Sequence, residues 1–274
     1  MKIHSLDCAT MCPASRRLVN GTGGLFEPAR MVCHCWLIEG PGGLVLVDTG
    51  IGLEDVADVR GRLGGWFQAI VRPRRDPAAT AAAQVEALGF RREDVRHIVP
   101  THLDLDHAGG LPDFPHAEVH VMRAEHDAAL APRTQMERRR YRPAHFAHGP
   151  RWRIHEVAGE RWNGFERVRA LGDGDDEVLL IPLAGHTRGH VAVAARGPRG
   201  WQLHAGDAYF FHGEVRGGPA TPPALALFER LAAVDADMMR ANQRRLAELV
   251  RTHDEVRVHC AHCPVEYEQV RAGA

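Results

Sequence analysis

Lysine is almost missing from this chain: Lys2 is the only one among 274 residues, so nearly every positive charge is an arginine. A surplus of either charge sign is missing too. The formal net charge is -1 and the isoelectric point is near 7.0, which argues against nucleic acid or an anionic membrane as the partner. No apolar run approaches the ~18 residues of a membrane span, and no charged start followed by an apolar segment marks a leader. No membrane is therefore expected, and a cytoplasmic location is. The six cysteines form three close pairs, Cys8/Cys12, Cys33/Cys35 and Cys260/Cys263. In a chain of this size they read as free thiols and not as a disulfide framework. A zinc site from Cys33, Cys35, Cys260 and Cys263 is the competing reading, with poor Cys-x-Cys spacing.

What remains is ordinary in bulk, 45% hydrophobic and 25% charged, enough for a real core. Histidine is the exception. There are 18 of them, and metal binding is one reason to keep so many. Residues 1–274 are expected to form one domain, because no linker-like segment divides them.

Strands are expected at Lys2–Leu6, then at Val32–Glu39 and Gly43–Asp48 around a Gly40-Pro41-Gly42 turn. The second of these, Leu44-Val45-Leu46-Val47, is apolar on both faces and ends in Asp48-Thr49-Gly50, which puts a carboxylate at a strand tip. Residues 51–78 show no clear period. A helix is expected over Ala79–Leu88, a strand over Val95–Pro100, another over Ala117–Met122, and a short helix over Arg123–Leu130. The Arg-rich segment 131–152 reads as a solvated face, with a lid over a polar substrate as the alternative. Strands follow at Arg153–Val157, Glu166–Ala170, Val178–Pro182, His190–Ala195 and Trp201–Ala205, an antiparallel meander. One long helix is expected over Pro223–Thr252, then a strand over Glu255–Cys260 and a short terminal helix. The order suggests two similar α/β halves around a shared core.

The strand Val95–Pro100 runs directly into Thr101-His102-Leu103-Asp104-Leu105-Asp106-His107-Ala108-Gly109-Gly110. Two imidazoles and two carboxylates crowd six positions there, where burial is costly unless a cation offsets it. In extended backbone His102, Asp104 and Asp106 line one wall, and His107 leaves in another direction. Such a cluster suits a pair of metal ions better than one.

Three later segments repeat the same arrangement, an apolar run ending in a metal-competent residue: Leu179–Gly185 before His186, Leu203–Gly206 before Asp207, and Val256–Ala261 before His262. With Asp48-Thr49-Gly50, this order resembles the metallo-β-lactamase superfamily of metal-dependent hydrolases. The resemblance implies an α/β fold, a four-layer αββα sandwich with its metals at one edge of the sheets. It implies His102, Asp104 and His186 around one ion, and Asp106, His107 and His262 around the other, with Asp207 between them. It also implies supporting roles for Asp48 and His190. His259 competes with His262 for the last position, and the Ala-His-x-Pro-like context favours His262.

The chain departs from the family at Asp104, reading His-x-Asp-x-Asp-His where the pattern is His-x-His-x-Asp-His. The extra carboxylate lowers the charge of the centre and shifts preference from zinc towards iron or manganese. Two divalent ions are expected, zinc first. The function implied is hydrolysis of an ester, lactone, thioester or amide of a small molecule, most like the N-acyl-homoserine lactonases. Asp106 is the expected proton carrier and Tyr209 a candidate oxyanion donor, with a plain strand residue as the other reading of Tyr209. A di-iron redox enzyme and a silent small-molecule-binding module stay open, as does a homodimer. Substrate choice is expected to lie in loops 10–31, 51–78 and 131–152.

Overall fold

The computed structural model describes residues 1–40, 42–157, 160–172 and 177–272. Pro41 of the expected turn lies outside them. Two six-stranded sheets form the centre. The first runs in chain order through β1 (Lys2–Asp7), β2 (His34–Gly40), β3 (Gly43–Val47), β4 (Val95–Val99), β5 (Glu118–Met122) and β6 (Arg151–His155). Its first three strands pair antiparallel and the rest are parallel. The second holds β7 (Glu160–Trp162), β8 (Phe165–Leu171), β9 (Val178–Pro182), β10 (Val191–Gly197), β11 (Gly200–His204) and β12 (Val256–His259), in spatial order β12-β11-β10-β9-β8-β7. It is an antiparallel meander with β12 added parallel to β11. The strand expected at Arg153–Val157 as its first member is instead β6 of the first sheet, parallel to β5, and Glu160–Trp162 stands at the meander's edge.

Alternation along the strands makes the layers. Trp36, Val45, Val47 and Val99 of the first sheet meet Leu180 and Val193 of the second between the sheets. Leu37, Leu46, Ile98, Val119 and Val121 point the other way, under the helices of the first sheet. Leu179, Ile181, Leu203 and Val258 face the outer helix Ala236–Thr252 through its Leu246 and Leu249. Helix, sheet, sheet, helix is the αββα sandwich that the motif order implied.

The other differences from expectation are local. Residues 51–78 form three short helices, Leu53–Ala57, Val59–Arg62 and Gly65–Ile70, too brief to show a period. The Arg-rich segment holds the helices Gln135–Arg140 and Pro143–Phe146, and β6 begins two residues earlier than expected. The helix expected over Pro223–Thr252 is broken in two, Pro223–Ala232 and Ala236–Thr252. Asp235 accepts hydrogen bonds from the N–H groups of Asp237 and Met238, capping the second helix. The break also frees two backbone donors: Val234 N–H bonds His186 O at 3.1 Å and Asp235 N–H bonds Gly185 O at 2.9 Å. A continuous helix would have kept both amides for itself. The interruption therefore ties down the His186 loop.

Candidate metal centre

β3, β4, β11 and β12 end along one edge, and each end carries part of the cluster. The chain leaves β4 at Val99, runs irregularly through His102–Asp104 and then turns, with His107 and Ala108 N–H both bonded to Asp104 O. The wall of three expected from alternation is thus cut short, and Asp106 is delivered by the turn. Gly110 makes the turn fit: a Cβ there would sit 2.8 Å from Thr49 O.

Asp207 lies at the middle. Its Oδ1 is 3.4 Å from His107 Nε2 and 3.1 Å from His262 Nε2. Its Oδ2 is 3.8 Å from His102 Nε2 and 3.4 Å from His186 Nε2. One carboxylate thus faces two histidine pairs with separate oxygens, making two groups able to hold an ion: His102, His186 and Asp207, and His107, His262 and Asp207. Asp106 adds to the second, 3.6 Å from His262 and 4.0 Å from His107. Asp104 adds to the first, 3.2 Å from His186 and 3.5 Å from His102.

The residues fit metal ions by their chemistry. His102 Nε2, Asp104 Oδ1 and Asp207 Oδ1 are buried without a hydrogen-bond partner, a cost that a cation removes. Burial works to lower the pKa of His107, but Asp207, Asp48 and Asp106 together hold it well above its ordinary value, and His262 is raised in the same way. The carboxylates therefore hold protons on these rings where a cation would serve instead.

Supporting groups aim the rings. Asp48, held at positive φ on the tip of β3, accepts from Thr101 N–H at 2.7 Å and pairs with His107 Nδ1 at 2.9 Å. This turns Nε2 of His107 towards Asp207. His262 Nδ1 lies 2.6 Å from Val32 O, which aims that ring likewise. His190 is engaged at both nitrogens, with Leu183 O and with the Asp207 N–H, so it holds Asp207 in place from behind. Gly206 leaves room for this, since a Cβ there would meet His190 Nε2 at 2.7 Å. His259 points elsewhere, stacking on buried His34.

One candidate role fails, and one competing reading falls while the expected free thiols stand. Tyr209 does not reach the centre: its hydroxyl donates to Glu266 at 3.0–3.1 Å, inside the core of the second sheet. Two residues past Asp207 the chain has already turned, so proximity in sequence is not proximity in space. The four cysteines do not gather either; among the described residues, only Cys33 joins a candidate metal group, with Asp106 and His262.

Two functional residues escape the sequence reading. Arg140, within the segment read as a solvated face, is buried, with its guanidinium 3.3 Å from Asp104 Oδ2 and bonded to His186 O at 3.1 Å. Burial alone would raise the Asp104 pKa; Arg140, followed by His102, holds it well below the usual carboxylate range. A run of arginines gives no sign of which one turns inward. Glu125 is the other. Its carboxylate accepts from Leu103 N–H, Gly189 N–H, Thr187 Oγ1 and Tyr141 OH, lacing the His102 and His186 loops together.

Beside the centre opens a cavity of about 530 Å³, with Asp104, Asp106, Asp207, His186 and His262 at its floor. Its walls are mostly apolar and come from all three expected loops, through Met11, Val19, Phe67 and Met136, and from Leu225 and Phe228 of the helix Pro223–Ala232. No helix among the described residues is long and apolar enough to cross a membrane.

Comparison with known proteins agrees. The family model described as the metallo-beta-lactamase superfamily matches residues 29–250. Probable metallo-hydrolases of Mycobacterium bovis and Mycobacterium tuberculosis are 42% identical over 272 residues, 99% of this chain and 83% of theirs. The N-acyl homoserine lactonase AttM of Rhizobium radiobacter is 31% identical over 163 residues, covering 60% of this chain and 59% of AttM. A solved B. thuringiensis AiiA variant with N-decanoyl-L-homoserine at its active site superposes with a TM-score of 0.73 at 20% identity, over 99% of this chain and 95% of that one. At that identity the superposition speaks for the fold. The chain belongs to the metallo-β-lactamase superfamily of metal-dependent hydrolases.

Proposed function

We propose that residues 1–274 act as one domain that hydrolyses an ester or lactone carrying an apolar arm, using two metal ions. The single observation that carries this is Asp207, whose two oxygens face two histidine pairs at the floor of an apolar cavity. His102, Asp104 and His186 would hold one ion, and Asp106, His107 and His262 the other, with Asp207 shared. Bound there, zinc ions supply an acidified water and polarise a carbonyl. Asp106 lines the cavity and is the residue in place to carry a proton to the leaving alkoxide. The apolar walls take the arm and exclude water from the floor.

Arg140 lines the cavity beside Asp104. It also changes the charge count. Two divalent ions, three aspartates and a hydroxide sum to zero, and the guanidinium returns the centre to a net charge of about +1. The argument from Asp104 towards iron and redox chemistry is weaker for that reason, and zinc is favoured over iron or manganese.

Metal-loaded protein should be assayed against acyl lactones and aryl esters of increasing chain length. The expected result is a kcat/KM that climbs with chain length until the cavity is filled, and no turnover after chelation. Protein with two ions bound and no hydrolysis anywhere in the series would reject the proposal.

A further inference from the structure

Away from the strand-end cluster, a second group of metal-competent side chains converges among the described residues. His97 of β4 and Glu118 and His120 of β5 bring their donor atoms within 4.8 Å of one another. His97 Nδ1 lies 3.1 Å from His120 Nε2 and 3.8 Å from Glu118 Oε2. A tetrahedral zinc with ligands at 2.0–2.1 Å separates its donors by about 3.4 Å, between those two values. Behind them, His155 of β6 places Nε2 3.0 Å from His120 Nδ1, its ring stacked on His120 at 17°.

Parallel pairing puts these residues together. His97 stands opposite Glu118, and Met122, two residues past His120, stands opposite His155. Glu118 and His120 alternate with Val119 and Val121, which pack outward, so they share the inner face of the sheet with Met122. The position is reachable from solvent: the His97 and Glu118 side chains are 21% and 20% exposed, while His120 is buried.

The group is prepared for a cation. Burial, and then the neighbouring His155 and His97, push the His120 pKa down to about 3, and burial lowers His97 and His155 as well. All three imidazoles therefore stay neutral, the form that binds metal. A proton on His120 Nδ1 shared with His155 leaves Nε2 bare and facing His97, the usual way an outer residue fixes the tautomer of a ligating histidine. Glu118 divides its oxygens. Oε1 accepts from Arg153 at 2.7 Å and Arg151 at 3.5 Å, leaving Oε2 towards His97. Arg153, Arg151 and Arg96 oppose a cation here, which limits the site to one ion of moderate affinity.

We propose that His97, Glu118 and His120 bind one divalent transition-metal ion of the zinc class, with His155 as the positioning residue for His120. Two imidazoles and a carboxylate suit zinc, and an open fourth position is left for water.

The test counts zinc. Tag-free full-length protein is stripped with a chelator, dialysed against micromolar zinc chloride, and its zinc content per chain measured. The wild type is expected to keep one zinc more than His97→Asn and one more than His120→Gln, and His155→Ala should weaken that ion about 10–100-fold. Circular dichroism and hydrolysis by His97→Asn should match the wild type. Equal zinc contents in the wild type and His97→Asn would overturn the proposal, as would zinc bound only at millimolar concentration. If His120→Gln fails to fold, half-buried His97→Asn decides alone. The proposal is independent of the hydrolytic reading: a wild type that binds a single zinc, lost in His97→Asn, would reject the dinuclear centre and keep this site.

Discussion

Arg140→Met removes a buried positive charge while keeping most of the side-chain volume. Asp104, Arg140 and His186 form one network, with Arg140 3.3 Å from Asp104 and bonded to the His186 carbonyl. Breaking a buried ion pair by deleting one partner costs about 3–5 kcal/mol, because the remaining charge is left uncompensated. Metal-free Arg140→Met should therefore lose stability on that scale, read from the denaturant midpoint. Zinc should return most of the loss, since a cation again lies beside Asp104. The companion change Asp104→His leaves Arg140 as the unpaired partner, and the double variant removes both charges. The two effects should then fail to add by about 1–3 kcal/mol in favour of the double variant. Activity gives a second reading. Without Arg140 the loaded centre falls from about +1 to neutral, so its water is less acidic and the rising limb of kcat/KM moves to higher pH. The double variant should bring that limb back down. If Arg140→Met costs less than about 1 kcal/mol without metal, or if the single changes simply add, the pair does not act as one unit.

The other expectations are briefer. Glu125→Ala strips the shared acceptor from four donors and should cost at least about 3 kcal/mol. A metal titration should show zinc affinity falling about 10–100-fold, and unchanged affinity would deny that Glu125 holds the two ligand loops. Tyr209→Phe should leave kcat within a factor of about two while lowering stability by about 1 kcal/mol, because the hydroxyl serves Glu266 and not the substrate; a hundredfold loss of kcat would restore the oxyanion role. Glu229 is pushed up to about 8, by burial and then by Glu214, from an ordinary 4.5. A raised folded-state pKa means its stabilising proton is fully present below about pH 4.5 and is lost as the pH rises through about 8. Glu229→Gln keeps the neutral form, so melting temperatures taken at pH 5 and pH 9 should differ less in the variant than in the wild type. A parallel fall in both proteins would count against it.

The parts legible in the sequence share a physical reason. A ligand must sit where a buried strand ends, so an apolar run followed at once by His or Asp can be read without knowing the fold. Asp48, His102, Asp207 and His262 all stand out in that way. His186 comes with its Gly185 and Gly189 neighbours. The three segments that wall the cavity show no regular period in the sequence, although Met11, Val19, Leu63 and Phe67 from them join the core under the first sheet. The helix Pro223–Ala232, which completes the cavity wall, is hidden inside a longer helical pattern. Its end is set by the His186 loop, which takes two amides from the break at Val234 and Asp235. The one local sign is Asp235, the cap of the helix that follows.

By itself the sequence marked the candidate metal-binding residues, most of the strands and the departure at Asp104, because these depend on residue identity, on the motif order and on the period of the strands. Only the tertiary structure decided which charge answers Asp104. Arg140 lies in a run of arginines that are alike in sequence, and what distinguishes it is the direction its helix gives it and the buried carboxylate it meets. Tyr209 and Glu125 teach the same lesson in opposite senses. A hydroxyl two residues from the central aspartate is carried away by a turn, and a carboxylate far from every ligand motif is brought in by packing. Chemistry is written along the chain, but distance is not.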